Sequence, residues 1–227
     1  DLCMFFVDGF AKDEIMEKLL EFFYGIQDED LLRDAHTFSK SCVPYCEVAI
    51  SGEEDTIVGQ ILSGVWAVFV DGMDQCVLID QRTYPQRTTS EPDQDKSFRG
   101  SRDGFVETMV FNAALIRRRI RSPRLCVEHL EVGETSRTDV AVCYFEGRAD
   151  PELVNTVRER IAQARVDALT MNQESLAELL VRKRWYNPFP KFKFTERPDA
   201  AAAQILEGDV VVLVDNSPAA IILPTAL

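Results

Sequence analysis

Residues 1–16, DLCMFFVDGFAKDEIM, lie over residues 139–154, DVAVCYFEGRADPELV, and residues 60–80, QILSGVWAVFVDGMDQCVLID, lie over 204–224, QILEGDVVVLVDNSPAAIILP. In the first pair an Asp is followed by six mostly apolar residues, an acid and a Gly, with Ala two positions on and Glu three beyond it. That order spells a buried strand, a glycine turn and a helix start, and in the second copy Asp150 and Pro151 suit an N-cap and a first helical position. The second pair spells a helix end, a glycine at the left-handed C-cap (Gly64, Gly208) and two strands joined by a tight turn, Asp71-Gly72 or Asp215-Asn216. Two blocks in the same order, at offsets of 138 and 144, predict an internal duplication, and a repeat read first governs every later inference.

Hydrophobic periodicity extends the blocks into a map. Copy one carries strand 2–7, helix 12–24, a short helix near 28–36, strand 44–50, helix 53–62 and strands 65–70 and 75–80. Copy two carries strand 140–145, helix 151–163, strand 166–169, helices 173–183 and 197–206, and strands 209–214 and 219–223. Between them a helix is predicted from Asp103 to Arg121, with apolar positions 105, 109, 113, 116 and 120 on one stripe. A strand at 125–132 then forms a hairpin with the strand beginning at Asp139, and the matching strand of copy one would lie upstream of Asp1. The fold class is α/β (α+β): two small subdomains, each a mixed β-sheet packed with helices. The first spans 1–87, a polar linker with Pro92 spans 88–102, and the second spans 103–227.

Composition narrows the function classes. The 227 residues are 46% hydrophobic and carry a formal net charge of −13, and the first sixty hold fourteen acids against four bases. Such a surface repels nucleic acid and anionic lipid. Cysteines 3, 42, 46, 76, 126 and 143 are scattered, most of them in apolar runs, and read as reduced and buried. Cys42 and Cys46 are spaced C-x3-C, but the two histidines, His36 and His129, make no familiar zinc pattern with another pair of cysteines. No run reaches the roughly 20 apolar residues that span a bilayer.

Four motifs invite chemistry, and each has a plainer reading. Arg99-Gly100-Ser101-Arg102-Asp103-Gly104-Phe105 resembles an anion-binding loop but lacks the P-loop lysine and the dinucleotide glycine spacing; a sharp domain connection that caps a helix is favoured. Seven arginines against two acids between 99 and 124 suggest nucleic acid, yet Arg117, Arg118 and Arg119 stand where a helix C-terminus welcomes cations. Asp8, Asp71, Glu146 and Asp215 sit at turns, where Asp bonds its own backbone. The run WYNPFPKFKF at 185–194 cannot be a regular helix, and its aromatics are read as packing or a protein contact. No nucleophile elbow and no triad context occur, so neither catalysis nor a cofactor is expected.

The stretches FRGSRDGFVETMVFNAALIRRRIRSPRL (98–125), TDVAVCYFEGRADPELV (138–154) and NPFPKFKFTERPDAAAAQILEGDVVVLVDNSPAAIILP (187–224) resemble the GerA family of spore-germination proteins, with EPD at 91–93 in support. SRDGFVET and YNPFPKFKFTERPD resemble the stage V sporulation AF (SpoVAF) branch more than a receptor A subunit. The resemblance implies a soluble N-terminal region of two α/β subdomains. Several membrane helices would follow it, beginning after ILPTAL, in a multi-pass protein of the bacterial spore inner membrane, with this region facing the core. It implies a non-enzymatic interaction and coupling module of a germinant-responsive, ion-channel-type complex. The partners would be other subunits of that complex and further copies of the full-length protein, with no nucleic acid and with the membrane reached through the missing C-terminal region. The alternative is a domain that binds a germinant or another metabolite. The family assigns no catalytic residue, so the candidates for interface or structure are the motif residues themselves: Arg99, Gly100, Arg102, Gly104, Phe105, Glu107, Arg117, Arg118, Arg119, Phe189, Glu196, Arg197 and Pro198.

Overall fold

Val210–Val214 reads VVVLV and is buried at every position, and a strand of that kind must be covered on both faces. The computed structural model supplies that cover; it describes residues 1–26, 32–43, 46–84, 103–133, 135–164, 176, 177, 180 and 192–223. Contacts divide the chain into two units, Asp1–Pro85 with Arg121–Pro123 and Gln86–Ile120 with Arg124–Leu227. In chain order the first holds β1 (Leu2–Phe5), α1 (Asp13–Tyr24), α2 (Ala35–Cys42), β2 (Glu47–Ser51), α3 (Glu54–Leu62), β3 (Trp66–Val70) and β4 (Cys76–Asp80). The second holds α4 (Met109–Arg119), β5 (Leu125–Val132), β6 (Thr138–Phe145), α5 (Pro151–Ala162), β7 (Lys193–Thr195), α6 (Pro198–Glu207), β8 (Val210–Val214) and β9 (Ala220–Leu223).

The first sheet runs β1-β3-β4-β2 and the second β5-β6-β8-β9-β7. In the second unit Ala141, Cys143, Val211 and Leu213 face α4 and α6, while Val140, Val142, Val212 and Val214 face α5 together with Leu176, Ala177 and Leu180. Each such side chain taken out of water contributes roughly 1.5–3 kcal/mol when large. In the first unit Trp66, Val68, Val70 and Ile79 face α1 and α2, and Ala67, Cys76 and Leu78 face α3.

The duplication holds at the level of individual ladder pairs. Leu2↔Val70 through Phe5↔Ala67 in β1–β3 correspond, at offsets of 138 and 144, to Val140↔Val214 through Cys143↔Val211 in β6–β8. Trp66↔Ile79 in β3–β4 corresponds to Val210↔Leu223 in β8–β9. The offset of 144 extends upstream as well, because Ser51↔Cys76 maps onto Thr195↔Ala220. The Ser51 hydroxyl accepts from Glu53 N at 3.2 Å, and the Thr195 hydroxyl accepts from Arg197 N at 3.1 Å. The six-residue difference between copies therefore falls between the first two strands of the unit. Side chains diverged while strand order, register and turn chemistry stayed.

Several expectations are corrected. The α+β class holds, but the sheets expected to be mixed are antiparallel in every described pairing. The reason is a split crossover: α3 carries the chain from β2 to β3, which run in the same direction, but β4 lies between them. Of the helix expected at 28–36, residues 28–31 lie outside the described residues; the described helix there is α2 at 35–42, whose start is fixed by Asp34 Oδ1 accepting from His36 N and Thr37 N at 3.0 and 2.8 Å. The helix expected from Asp103 begins at Met109, because the backbone before it bonds elsewhere, as set out below. Strand β7 emerges from the tail of the aromatic run, where no strand was expected. The strand expected at 166–169 and most of the helix expected at 173–183 lie outside the described residues.

Candidate functional site

Of the candidate residues, Gly104, Phe105 and Glu107 lie in the segment Asp103–Thr108, which leads into α4, and Arg119 and Glu196 bond to it. Asn112 is an amide 1% exposed on a helix otherwise packed with apolar side chains, and a buried amide needs partners. It finds both in Val106, whose N–H donates to Asn112 Oδ1 at 2.8 Å and whose carbonyl accepts from Nδ2 at 2.6 Å. Phe105 N–H donates to the Glu196 carbonyl at 2.8 Å, and its ring is fully buried. Asn216 N–H donates to the Glu107 carbonyl at 2.8 Å. The exposed side chain of Glu107 is thus not what ties it in. With the carbonyls of Val106 and Glu107 bonded outside the helix, the backbone of 105–107 does not supply the acceptors that an earlier helix start would need.

One arginine closes the same clasp, and two others bond close by in sequence. Arg119 pairs with Asp103 at 2.9 Å and also donates to the Leu115 carbonyl at 3.0 Å. Arg117 donates to the Leu125 carbonyl at 3.1 Å, and burial pushes its guanidinium below its ordinary pKa. Arg118 is half-buried. Arg197 precedes Pro198, the buried first residue of α6, and grips Asp199 through Nε at 3.0 Å and Nη2 at 2.5 Å. The Arg197 hydrogen bond holds the Asp199 carboxyl below the usual carboxylate range, and Arg119 adds to the effect. Gly104 is buried. Arg99, Gly100, Arg102 and Phe189 lie outside the described residues.

The geometry is that of a brace. Main-chain groups of Phe105 and Glu107 and the start of α4 are fastened to residues 196 and 215–216, about a hundred positions away, Met109 N–H donating to Asp215 Oδ1 at 3.0 Å. Sequence reasoning passed over Asn112, Asp199 and the second role of Asp215. Asn112 had a signal, an amide inside an apolar helical stripe, whereas the partners of Asp199 and Asp215 are set by tertiary placement. Asp8, read at a turn, accepts from Gly9 N at 2.8 Å, and among the described residues no three His, Cys, Asp or Glu side chains gather as metal ligands would. The cysteines are free thiols; of the six expected to be buried, Cys42, Cys76 and Cys143 are, Cys46 and Cys126 are half-buried, and Cys3 is exposed on the face of β1 that it shares with the exposed Phe5. No described helix is long and apolar enough to cross a membrane.

The family model described as "Bacillus/Clostridium GerA spore germination protein" matches residues 1–227. The chain is 51% identical over 173 residues to Stage V sporulation protein AF of Bacillus subtilis, covering 76% of this chain and 35% of that protein. Spore germination protein A1 of the same organism is 32% identical over 170 residues, covering 75% and 35%. Membrane protein YfkQ, also from B. subtilis, is 29% identical over 221 residues, covering 96% and 42%. The chain therefore spans well under half the length of these relatives. Among solved structures, the N-terminal domain of the A subunit of the Bacillus megaterium spore germinant receptor GerK3 superposes with a TM-score of 0.68 at 25% identity, covering all of this chain and 84% of that one.

Proposed function

Since this chain belongs to the GerA family of spore germination proteins, we propose that it is the N-terminal, water-exposed region of a membrane protein of the spore inner membrane, and that it works as an interaction and coupling module. The complex it serves would be of the germinant-responsive, ion-channel type, with other germination subunits and further copies of the full-length protein as partners. One observation carries the reading. Described residues of the SRDGFVET motif and the start of α4 behind it are committed to a brace across the second unit, with ties such as Phe105–Glu196 and Met109–Asp215. A brace makes a unit move as one body, which suits a part that passes a change of position to a neighbour rather than one that performs chemistry.

The brace also decides where to probe. Charge reversal at Arg117 or Arg119 would loosen the unit itself, since both serve its interior. Phe111, 44% exposed on α4, is the better site. Phe111→Ser in the full-length protein is expected to leave the melting temperature of the unit unchanged, reduce co-purification of partner subunits several-fold and slow germination. Normal assembly and germination would remove the reading. The competing role, binding of a small germinant or metabolite, predicts instead that amino acids, sugars or dipicolinate raise the melting temperature of the wild-type protein by mass action.

A further inference from the structure

Asp is followed by Gly at three places in the chain, Asp8-Gly9, Asp71-Gly72 and Asp103-Gly104. Such a pair is chemically vulnerable, because the amide nitrogen that follows the acid can attack the acid's own carboxyl carbon and glycine puts no side chain in the way. The fold holds the three pairs differently. Asp103 commits its carboxylate to Arg119 at 2.9 Å, and Gly104 is buried. Asp71 and Gly72 are exposed, but they join the paired strands β3 and β4, and Asp71 N donates to the Asp1 carbonyl at 2.8 Å. Asp8 is exposed as well, stands outside the ladders between β1 and α1, and accepts from Gly9 N through Oδ1 at 2.8 Å. Its carboxyl is thus already folded onto the amide that would attack it.

The duplication supplies a built-in comparison. Phe10 N donates to the Val7 carbonyl at 3.2 Å and Arg148 N to the Phe145 carbonyl at 3.1 Å, the same turn at an offset of 138, with Gly9 at φ +82° and Gly147 at φ +78°. The second copy places Glu146 where the first has Asp8. With one more methylene, ring closure by Glu146 needs a six-membered imide, which forms more slowly than the five-membered ring open to Asp8. One turn therefore carries a reactive acid in the first unit and a resistant one in the second.

We infer that Asp8-Gly9 is a site of spontaneous succinimide formation and isoaspartate conversion in the folded protein. Gly9 N forms a bond to Asp8 Cγ, the bond from Cγ to the carboxyl hydroxyl breaks, and the hydroxyl leaves as water with the amide proton. Holding the reacting groups in contact is what speeds an intramolecular step of this kind. Water, the only co-reactant, then opens the ring. Cleavage at the former side-chain carbonyl restores aspartate, and cleavage at the former main-chain carbonyl leaves the chain running through the side chain. The lengthened main chain no longer fits the turn that seats Phe10, whose fully buried ring meets Tyr84 edge-on at 5.2 Å and whose carbonyl accepts from Thr83 N at 3.0 Å. Conversion loosens the first unit as the protein ages, and it does so independently of the coupling role.

Ageing the full-length protein in oxygen-18 water tests it, because each ring opening writes one heavy oxygen into the product. After digestion in ordinary water, the peptide holding Asp8 is expected to gain label at least tenfold faster than the one holding Asp103 and several-fold faster than the one holding Asp71. Electron-transfer fragmentation should place isoaspartate at position 8, and the peptide holding Glu146 should stay unlabelled. In urea the three Asp-Gly rates should converge, since the fold no longer sets them. Asp8→Glu, which copies the second unit, should abolish the label at that position. An unlabelled Asp8 peptide, labelling of Asp71 at the same rate or faster in the folded protein, a label that persists in Asp8→Glu, or a ranking that survives unfolding overturns the inference.

Discussion

The carboxylate of Asp215 caps helix α4 from 106 positions away in sequence, its Oδ1 accepting from Met109 N at 3.0 Å. Thr108, the residue in the N-cap position, makes no side-chain bond there. Loss of a capping side chain costs about 1 kcal/mol, and an anion beside the first turn adds a few tenths through the helix dipole. Asp215→Ala should lower the stability of the second unit by about 1–2 kcal/mol, seen as a lower urea midpoint at constant slope. Asp215→Asn should recover most of it. Equal loss in both variants would mean that the turn, and not the cap, is what the residue supports.

Gly64 and Gly72 both hold a positive φ, at +99° and +87°, yet they should not respond alike. An added Cβ at Gly72 meets nothing within 4 Å, whereas at Gly64 it would stand 2.9 Å from Phe10 Cδ2 and 3.2 Å from Arg82 Cγ. Both alanine variants incur the left-handed backbone cost of about 1–2 kcal/mol. Gly64→Ala should cost clearly more, because Phe10 is fully buried and must move. The two thermal unfolding curves measured side by side decide it.

How much of this was legible in the sequence follows from where the information resides. The turns and caps of the repeat are local, so Gly64, Gly208, Asp150 and Asp71-Gly72 could be placed from the chain alone. The start of α4 could not, because Asp103–Thr108 has helical periodicity through Phe105 and leaves the helix only since Glu196 and Asn216, far along the chain, take its backbone bonds. The arginine run was legible as charge but not as geometry. Arg117 and Arg119 turn inward to carbonyls and Asp103, a choice made by the packing of α4 on the sheet. Strand β7 was hidden because three residues of an aromatic run carry no periodicity until β9 offers an edge.

The thiols should separate by position. Burial pushes Cys143 up to about 12 and Cys76 up to about 11, so at pH 8 only about one part in a thousand of Cys76, and less of Cys143, is the reactive thiolate. Cys3 is exposed on the edge strand. Iodoacetamide at pH 8 should modify Cys3 within minutes and spare Cys76 and Cys143 until denaturant is added, as peptide mass mapping would show. Early modification of Cys143 would contradict the double cover of β6.

Glu128 of β5, Tyr144 of β6 and Arg158 of α5 form one cluster: the Tyr144 hydroxyl donates to Glu128 Oε1 at 2.5 Å, and Arg158 donates through Nε to Oε2 at 2.5 Å and through Nη2 to Oε1. The Arg158 hydrogen bond holds the Glu128 carboxyl below its ordinary value, partly opposed by burial. Burial, and then the neighbouring carboxylate, push the Tyr144 hydroxyl up. A lowered carboxyl pKa in the folded state means that the unfolded chain takes up the proton first. The stabilisation is therefore complete above the unfolded value of about 4.3 and disappears as pH falls through the lower folded value. The side chains of Arg158 and Glu128 are 38% and 29% exposed, so solvent screening keeps the contribution to about 1 kcal/mol or less. Glu128→Gln should accordingly be less stable than the wild type at pH 7, and the gap between their denaturation midpoints should close between about pH 5 and pH 3. A gap that stays constant over that range would show that the ion pair contributes nothing and that the substitution acts through packing alone.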